Sequence, residues 1–166
     1  PINKRAGKTF ISLKYPTETK FGVVVMGQGY GGYQDIRAVS NGGETEKIFT
    51  PGIMNDFGRI PSSGDLIAWL EYEKDPRWDK RTYSVIRVFN IRQKKLINKS
   101  KRGFYSSFDL SPNTKEVFIL NNNLDGSQSF IFKDINFNKT TKNLRVSGGV
   151  FSNIKYLNNS KLIGIK

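Results

Sequence analysis

Four times along the chain an aromatic or aliphatic residue runs into a polar turn of about five residues, after which Lys or Asp starts an apolar run. The copies are Tyr15-Pro16-Thr17-Glu18-Thr19-Lys20-Phe21-Gly22-Val23, Ile60-Pro61-Ser62-Ser63-Gly64-Asp65-Leu66-Ile67-Ala68, Leu110-Ser111-Pro112-Asn113-Thr114-Lys115-Glu116-Val117-Phe118 and Tyr156-Leu157-Asn158-Asn159-Ser160-Lys161-Leu162-Ile163-Gly164. From Lys20 to Asp65, Lys115 and Lys161 the steps are 45, 50 and 46 residues. A self-similar period of that length means that one structural unit is used repeatedly, and each unit must bury its faces against its neighbours.

Within a period the alternation of apolar and polar residues has the two-residue repeat of strands, with no helical stretch of useful length. In the second unit strands are expected near residues 55–60, over Asp65 to Glu73 with Leu66, Ala68, Leu70 and Tyr72 on one face, over Tyr83 to Ile91 and over Lys95 to Lys99. The first unit reads as strands near Thr9 to Lys14, Phe21 to Met26, Gln34 to Ser40 and Thr45 to Thr50, its last hairpin turning at Asn41-Gly42-Gly43. The third reads as Phe104 to Leu110, Glu116 to Asn121, Ser127 to Ile135 and Lys142 to Val146. Val150 to Tyr156 and Lys161 to Ile165 then supply two strands of a fourth.

Four antiparallel strands per period describe the blade of a β-propeller. The expected fold is therefore all-β, a single partial propeller over residues 1–166, with blades at about 9–50, 54–99 and 103–147 and the first half of a fourth at about 150–166. About three and a half blades do not close a ring, and Pro1 to Lys8 are too few and too polar to supply the missing strands. The chain is expected to be part of something longer or to be completed by another chain, with association through its open blade faces.

Composition narrows the chemistry. Among 166 residues there is no cysteine and no histidine, which removes thiol catalysis, disulfides and the commonest general base and metal ligand. No apolar run approaches the length of a membrane-spanning helix. The net charge of +13 favours acidic partners, such as an acidic polymer. However, Lys is spread along the whole chain, and the densest basic run, Arg92 to Arg102, falls where charged side chains guard a strand edge.

Leu110-Ser111-Pro112-Asn113-Thr114-Lys115 resembles the Ser-Pro-Asp-Gly-Lys turn of the TolB-like, or WD40-like, β-propeller repeats, with Asn-Thr standing for Asp-Gly. Glu44-Thr45-Glu46-Lys47-Ile48-Phe49-Thr50 resembles the strand leading to Leu-Thr in the same repeats. The turns at Ser63-Gly64-Asp65 and Asn158-Asn159-Ser160-Lys161 depart from that pattern. The resemblance implies a propeller that binds or scaffolds, or one that gates a hydrolase, in an exported or periplasmic bacterial protein.

Gly27-Gln28-Gly29-Tyr30-Gly31-Gly32 matches the G-x-G-x-x-G of dinucleotide sites, with Glu44 and Glu46 at roughly the distance of a ribose-binding acid. Such a site needs a helix next, whereas Tyr33 to Gly43 reads better as a strand into a hairpin, so the motif is expected to be a loop between second and third strands. Asn121-x-Asn123-x-Asp125-Gly126 resembles the start of a calcium loop, but Phe132 stands where its bidentate Glu belongs, and an Asn-rich hairpin turn is the expectation. Glu71 and Glu73 share one strand face and read as solvent-facing acids balancing Lys and Arg, rather than as paired catalytic carboxylates. Ser106, Ser107 and Ser111 have no histidine to activate them. Trp69, Phe89, Phe104, Phe108, Phe130 and Phe132 have strand spacing and are expected to pack blade against blade.

Second-to-third-strand loops of successive blades open on one rim of a propeller. Here they carry Tyr30, Tyr33, Arg77, Trp78, Arg81, Asn123 and Asp125. These are the candidate residues for contact with a protein partner, the remainder of the propeller or an acidic polymer. Trp78 folded back on its blade, and Arg residues paired with Asp75 and Asp79, are the competing structural reading. No catalytic residues, cofactor or metal are expected. The rival readings are an accessory propeller of a hydrolase whose catalytic residues lie outside this chain, and a basic nucleic-acid-binding module.

Overall fold

The structure, a computed structural model, describes residues 11–32, 34–54, 59–77, 82–146 and 149–166. They form β1 (Ser12–Thr19), β2 (Gly22–Gln28), β3 (Gln34–Val39), β4 (Thr45–Phe49), β5 (Ile53–Met54), β6 (Ser62–Ser63), β7 (Leu66–Lys74) and β8 (Thr82–Asn90). They continue with β9 (Lys95–Lys99), β10 (Tyr105–Leu110), β11 (Glu116–Asn122), β12 (Gln128–Asp134), β13 (Thr140–Val146), β14 (Ser152–Asn158) and β15 (Lys161–Ile165).

Every strand pairing is antiparallel and follows chain order. The first sheet is β1-β2-β3-β4, the third is β10-β11-β12-β13, and the last is the hairpin β14-β15. The second is β7-β8-β9 with β5 and β6 successively occupying the first-strand position against β7. The described residues thus form an open β-propeller of three blades and half of a fourth.

Of the strand expected at residues 55–60, residues 55–58 lie outside the described part and Arg59 and Ile60 carry no strand; on either side Ile53 pairs with Tyr72 and Ser62 with Ile67. The recurrent phrase also folds differently from a five-residue turn. Thr19 pairs with Gly22, Ser63 with Leu66 and Asn158 with Lys161, so three copies are two-residue hairpins with strand running up to them. Only the third keeps a longer loop. There the Ser111 hydroxyl accepts the Glu116 N–H (2.9 Å) and the Asn113 side chain accepts the Lys115 N–H (3.1 Å). These are the turn bonds that short polar side chains offer a backbone leaving a strand.

The second strand of each blade is central, and in the second and third blades both its faces are buried. On β7, Leu66, Ala68 and Leu70 join Ile86, Val88, Phe108, Leu110, Val117 and Ile119 in a core between the second and third blades. Ile67 and Trp69 turn the other way, to Val24, Met26, Ile36 and Phe89 between the first and second blades. On β11, Val117 and Ile119 face the second blade while Phe118 and Leu120 face Ile154 of the half blade. The strand pleat therefore distributes one near-continuous apolar run between two cores.

The expected blade-to-blade aromatics lie in these seams. Trp69 and Phe49 have ring centroids 5.2 Å apart, and Phe118 meets Phe130 and Phe132 edge-on at 5.5 and 5.4 Å. At the ends of the stack the burial stops: Phe21 and Val23 of the first blade, and Leu157, Ile163 and Ile165 of the half blade, are exposed.

Candidate functional site

At the rim, β2 runs through Gln28 into a 3-10 turn, Tyr30–Gly32, and β3 follows at Gln34, paired back on β2. The G-x-G-x-x-G motif is a strand end and a turn, with no helix N-terminus for a pyrophosphate to meet. Gly27 has a separate reason to be glycine: a Cβ there would lie 2.1 Å from Asp35 Oδ1. That carboxylate is buried and engages the Arg37 guanidinium at 2.9 Å.

The Asn-rich loop is a hairpin turn closed by Asn123 N–H to the Ser127 carbonyl at 2.8 Å. The Asn123 amide donates to the Ser127 and Ser129 hydroxyls (2.9 Å each). Asp125 accepts from the Ser127 backbone at 3.0 Å and is ion-paired with Arg145. Hydrogen bonds from Ser127, then the Arg145 charge, hold the Asp125 carboxyl below its usual range. In the middle loop, Asp75 accepts the Arg77 N–H at 2.8 Å. Tyr33, Trp78 and Arg81 lie outside the described residues.

Among the described residues no hydrogen bond or ion pair joins one of these loops to another. Their tips, however, stand out. Tyr30 and Leu124 are 95% and 88% exposed, the two most exposed large apolar side chains of the described residues.

Behind the loops, polar side chains of the third strands stitch each blade to the next. Gln34 Oε1 accepts the Met54 N–H (3.3 Å). The Ser84 hydroxyl accepts the Tyr105 N–H (2.6 Å) and donates to Gly103 or Tyr105 carbonyls (3.0 and 3.1 Å). Gln128 accepts the Phe151 N–H (2.7 Å) and donates to its carbonyl (3.2 Å).

At the opposite end of the strands the four copies of the recurrent phrase converge. They enclose a cleft of about 500 Å3 lined by Pro16, Thr17 and Glu18 of the first, Ile60 to Ser63 of the second, Leu110 and Pro112 of the third and Tyr156 of the fourth, together with Arg59 and Asp109, which directly precede the second and third. The hydroxyl of Ser62 donates to the Glu18 carbonyl (3.0 Å) and that of Ser63 to the Ser111 carbonyl (2.7 Å). The blades therefore meet through hydroxyl-to-backbone bonds.

Arg59 spans three of them, donating to Asp109 Oδ1 (3.2 Å), the Phe108 carbonyl (3.4 Å) and the Ile154 carbonyl (3.3 Å). Asp109 also accepts the Tyr156 N–H (2.7 Å) and the Leu110 N–H (3.0 Å). Burial pushes its carboxyl up, against the opposing pull of Arg59 and those two backbone donors. Burial first, and then the Glu116 carboxylate to which it donates at 3.2 Å, push the Tyr156 phenol up.

By their residue types the rim loops stand out in the sequence, and the cleft was not singled out there.

Glu71, expected to face solvent, is buried. It accepts from Trp69 Nε1 (2.8 Å) and Arg87 Nε (2.9 Å), because its strand face continues the Trp69 side into the core. Glu73 pairs with Lys99 (2.6 Å) and Arg102 (2.7 Å), and Glu46 with Lys94 (3.0 Å), so acids from elsewhere neutralise part of the Arg92 to Arg102 run. Among the described residues no cluster of acidic side chains is placed to hold a metal ion, and no helix is long and apolar enough to cross a membrane. Compared with known proteins, the chain matches no family model and no curated sequence.

Proposed function

We propose that the chain is a non-catalytic binding or scaffolding module, the propeller part of a larger exported bacterial protein of TolB-like repeat type, which presents its rim loops to a protein or polymer partner. The observation that carries this reading is the pair of exposed tips, Tyr30 and Leu124, on equivalent loops of different blades. An aromatic and an aliphatic side chain held out on glycine-containing turns lose solvent contact only when something covers them, and aromatic residues are enriched where partners bind. Rigid blades hold these tips at fixed spacing, so one partner meets several at once.

The ion pairs of Lys94, Lys99 and Arg102 weigh against nucleic acid as that partner, since these cations already have acids beside them. The test is capture from extracts of the producing cells on immobilised chain, comparing wild type with a Tyr30→Ala/Leu124→Ser double variant. A partner kept by wild type and lost by the double variant is the expected result. Equal capture by both would sink the rim reading.

A further inference from the structure

We propose that the cleft at the convergence of the four hairpins is a second binding site, independent of the rim, which takes a ligand through a carboxylate group anchored on Arg59. The two sites do not compete for space. β7 runs nine residues from the cleft end to the rim, which at the rise of a strand is about 30 Å.

Three observations point to the ligand chemistry. First, the guanidinium is fixed from three directions, yet its contacts to Asp109, Phe108 and Ile154 measure 3.2–3.4 Å, longer than the 2.7–2.9 Å usual for charge-assisted pairs. An arginine has five N–H donors, and these contacts leave two without an acceptor among the described residues. Second, its side chain is 35% exposed while it lines the cleft, so its donors are open to an incoming acceptor. Third, the neighbouring hydroxyls of Ser62 and Ser63 have already given their protons to backbone carbonyls, which leaves Arg59 as the strong donor on that wall.

The charges nearby select within anions. Asp109 is committed to Arg59 and two backbone N–H groups, and Glu18 stands exposed at the cleft. Two carboxylates beside the arginine repel a phosphate carrying close to two charges more than a carboxylate carrying one. The chain's net charge of +13 draws anions toward it without choosing among them.

The same carboxylate chemistry comes from a peptide C-terminus or from an acidic sugar, and calorimetry with the whole chain separates them. The probes are an N-acetylated tripeptide with a free carboxylate, the same tripeptide amidated, glucuronate, and inorganic phosphate. The proposal expects one or both carboxylates to bind, the amide to fail and phosphate to bind more weakly. The tighter of tripeptide and glucuronate then identifies the source.

Arg59→Lys, which keeps the charge but loses the planar fork, should weaken carboxylate binding about tenfold. Glu18→Gln should strengthen it by removing a like charge. Circular dichroism of each variant checks that the blades are intact. Amide binding equal to acid, phosphate binding tighter than carboxylate, no carboxylate binding at all, or binding unmoved by either substitution each overturns the proposal.

Discussion

The two ends of the strands solve the same problem differently. At the cleft end, hydroxyls and a guanidinium from one blade bond directly to the backbone of the next, as Ser63 does to Ser111 and Arg59 to Phe108 and Ile154. At the rim end, described loop side chains bond within their own loop, as Asn123 does to Ser127, and the strand residues behind them, Gln34, Ser84 and Gln128, reach the next blade. The turn sequences at the cleft end are constrained by four-way assembly and so resemble one another. The described residues of the rim loops make no such bonds from one loop to another, and the loops differ in sequence, as Gly27 to Gly32 and Asn121 to Gly126 do.

Substitutions can break that comparison, and the largest effect is expected at Asp109. Its loss in Asp109→Ala leaves the Leu110 and Tyr156 N–H groups and Arg59 without their acceptor, at a cost of about 2–3 kcal/mol in urea unfolding. A loss below about 0.5 kcal/mol would mean that the cleft end is not what joins the half blade to the third.

Gln128→Ala and Ser63→Ala remove one inter-blade stitch at each end, and each should cost about 1 kcal/mol. Equal values for the two would sharpen the view that stitching is shared by both ends and only the loops are free.

A smaller, pH-dependent effect belongs to Glu73. A hydrogen bond from Lys99, aided by Arg102 and opposed by partial burial, lowers its carboxyl from the ordinary range. The folded chain therefore holds the carboxylate more strongly than the unfolded chain does. Its contribution is present above the ordinary carboxylate pKa and disappears as pH falls through the lowered folded value. Melting temperatures of Glu73→Gln should thus decline less than those of wild type on acidification, and parallel declines would remove Glu73 as a source of acid sensitivity. The smallest change is expected at the rim tips, where Tyr30→Ala and Leu124→Ser should alter stability by no more than about 0.5 kcal/mol. A large loss there would show the tips to be packing residues rather than contact residues.

Much of the fold was readable beforehand, since the phrase period and strand alternation placed most strands within a few residues of where they lie. Alternation failed to show that Glu71 is buried, because a carboxylate on the Trp69 face is stable inside only when Arg87, Trp69 and Gly52 arrive to satisfy it. Nor did it show that β5 and β6 both pair with β7, or that Arg59 leaves its own blade for two others. Of the candidate rim residues, Tyr30, Arg77, Asn123 and Asp125 stand on loops at one end of the strands as expected. The cleft was invisible as a site because none of its residues is unusual in type.

By itself the sequence determined that four-stranded units repeat and stack on one another, because each unit must bury its apolar faces against its neighbours. Tertiary structure alone decided that the four phrases enclose a cleft and that Arg59 reaches across three blades to line it. Those contacts join residues up to 95 positions apart, and no local pattern records which distant carbonyl a guanidinium will find.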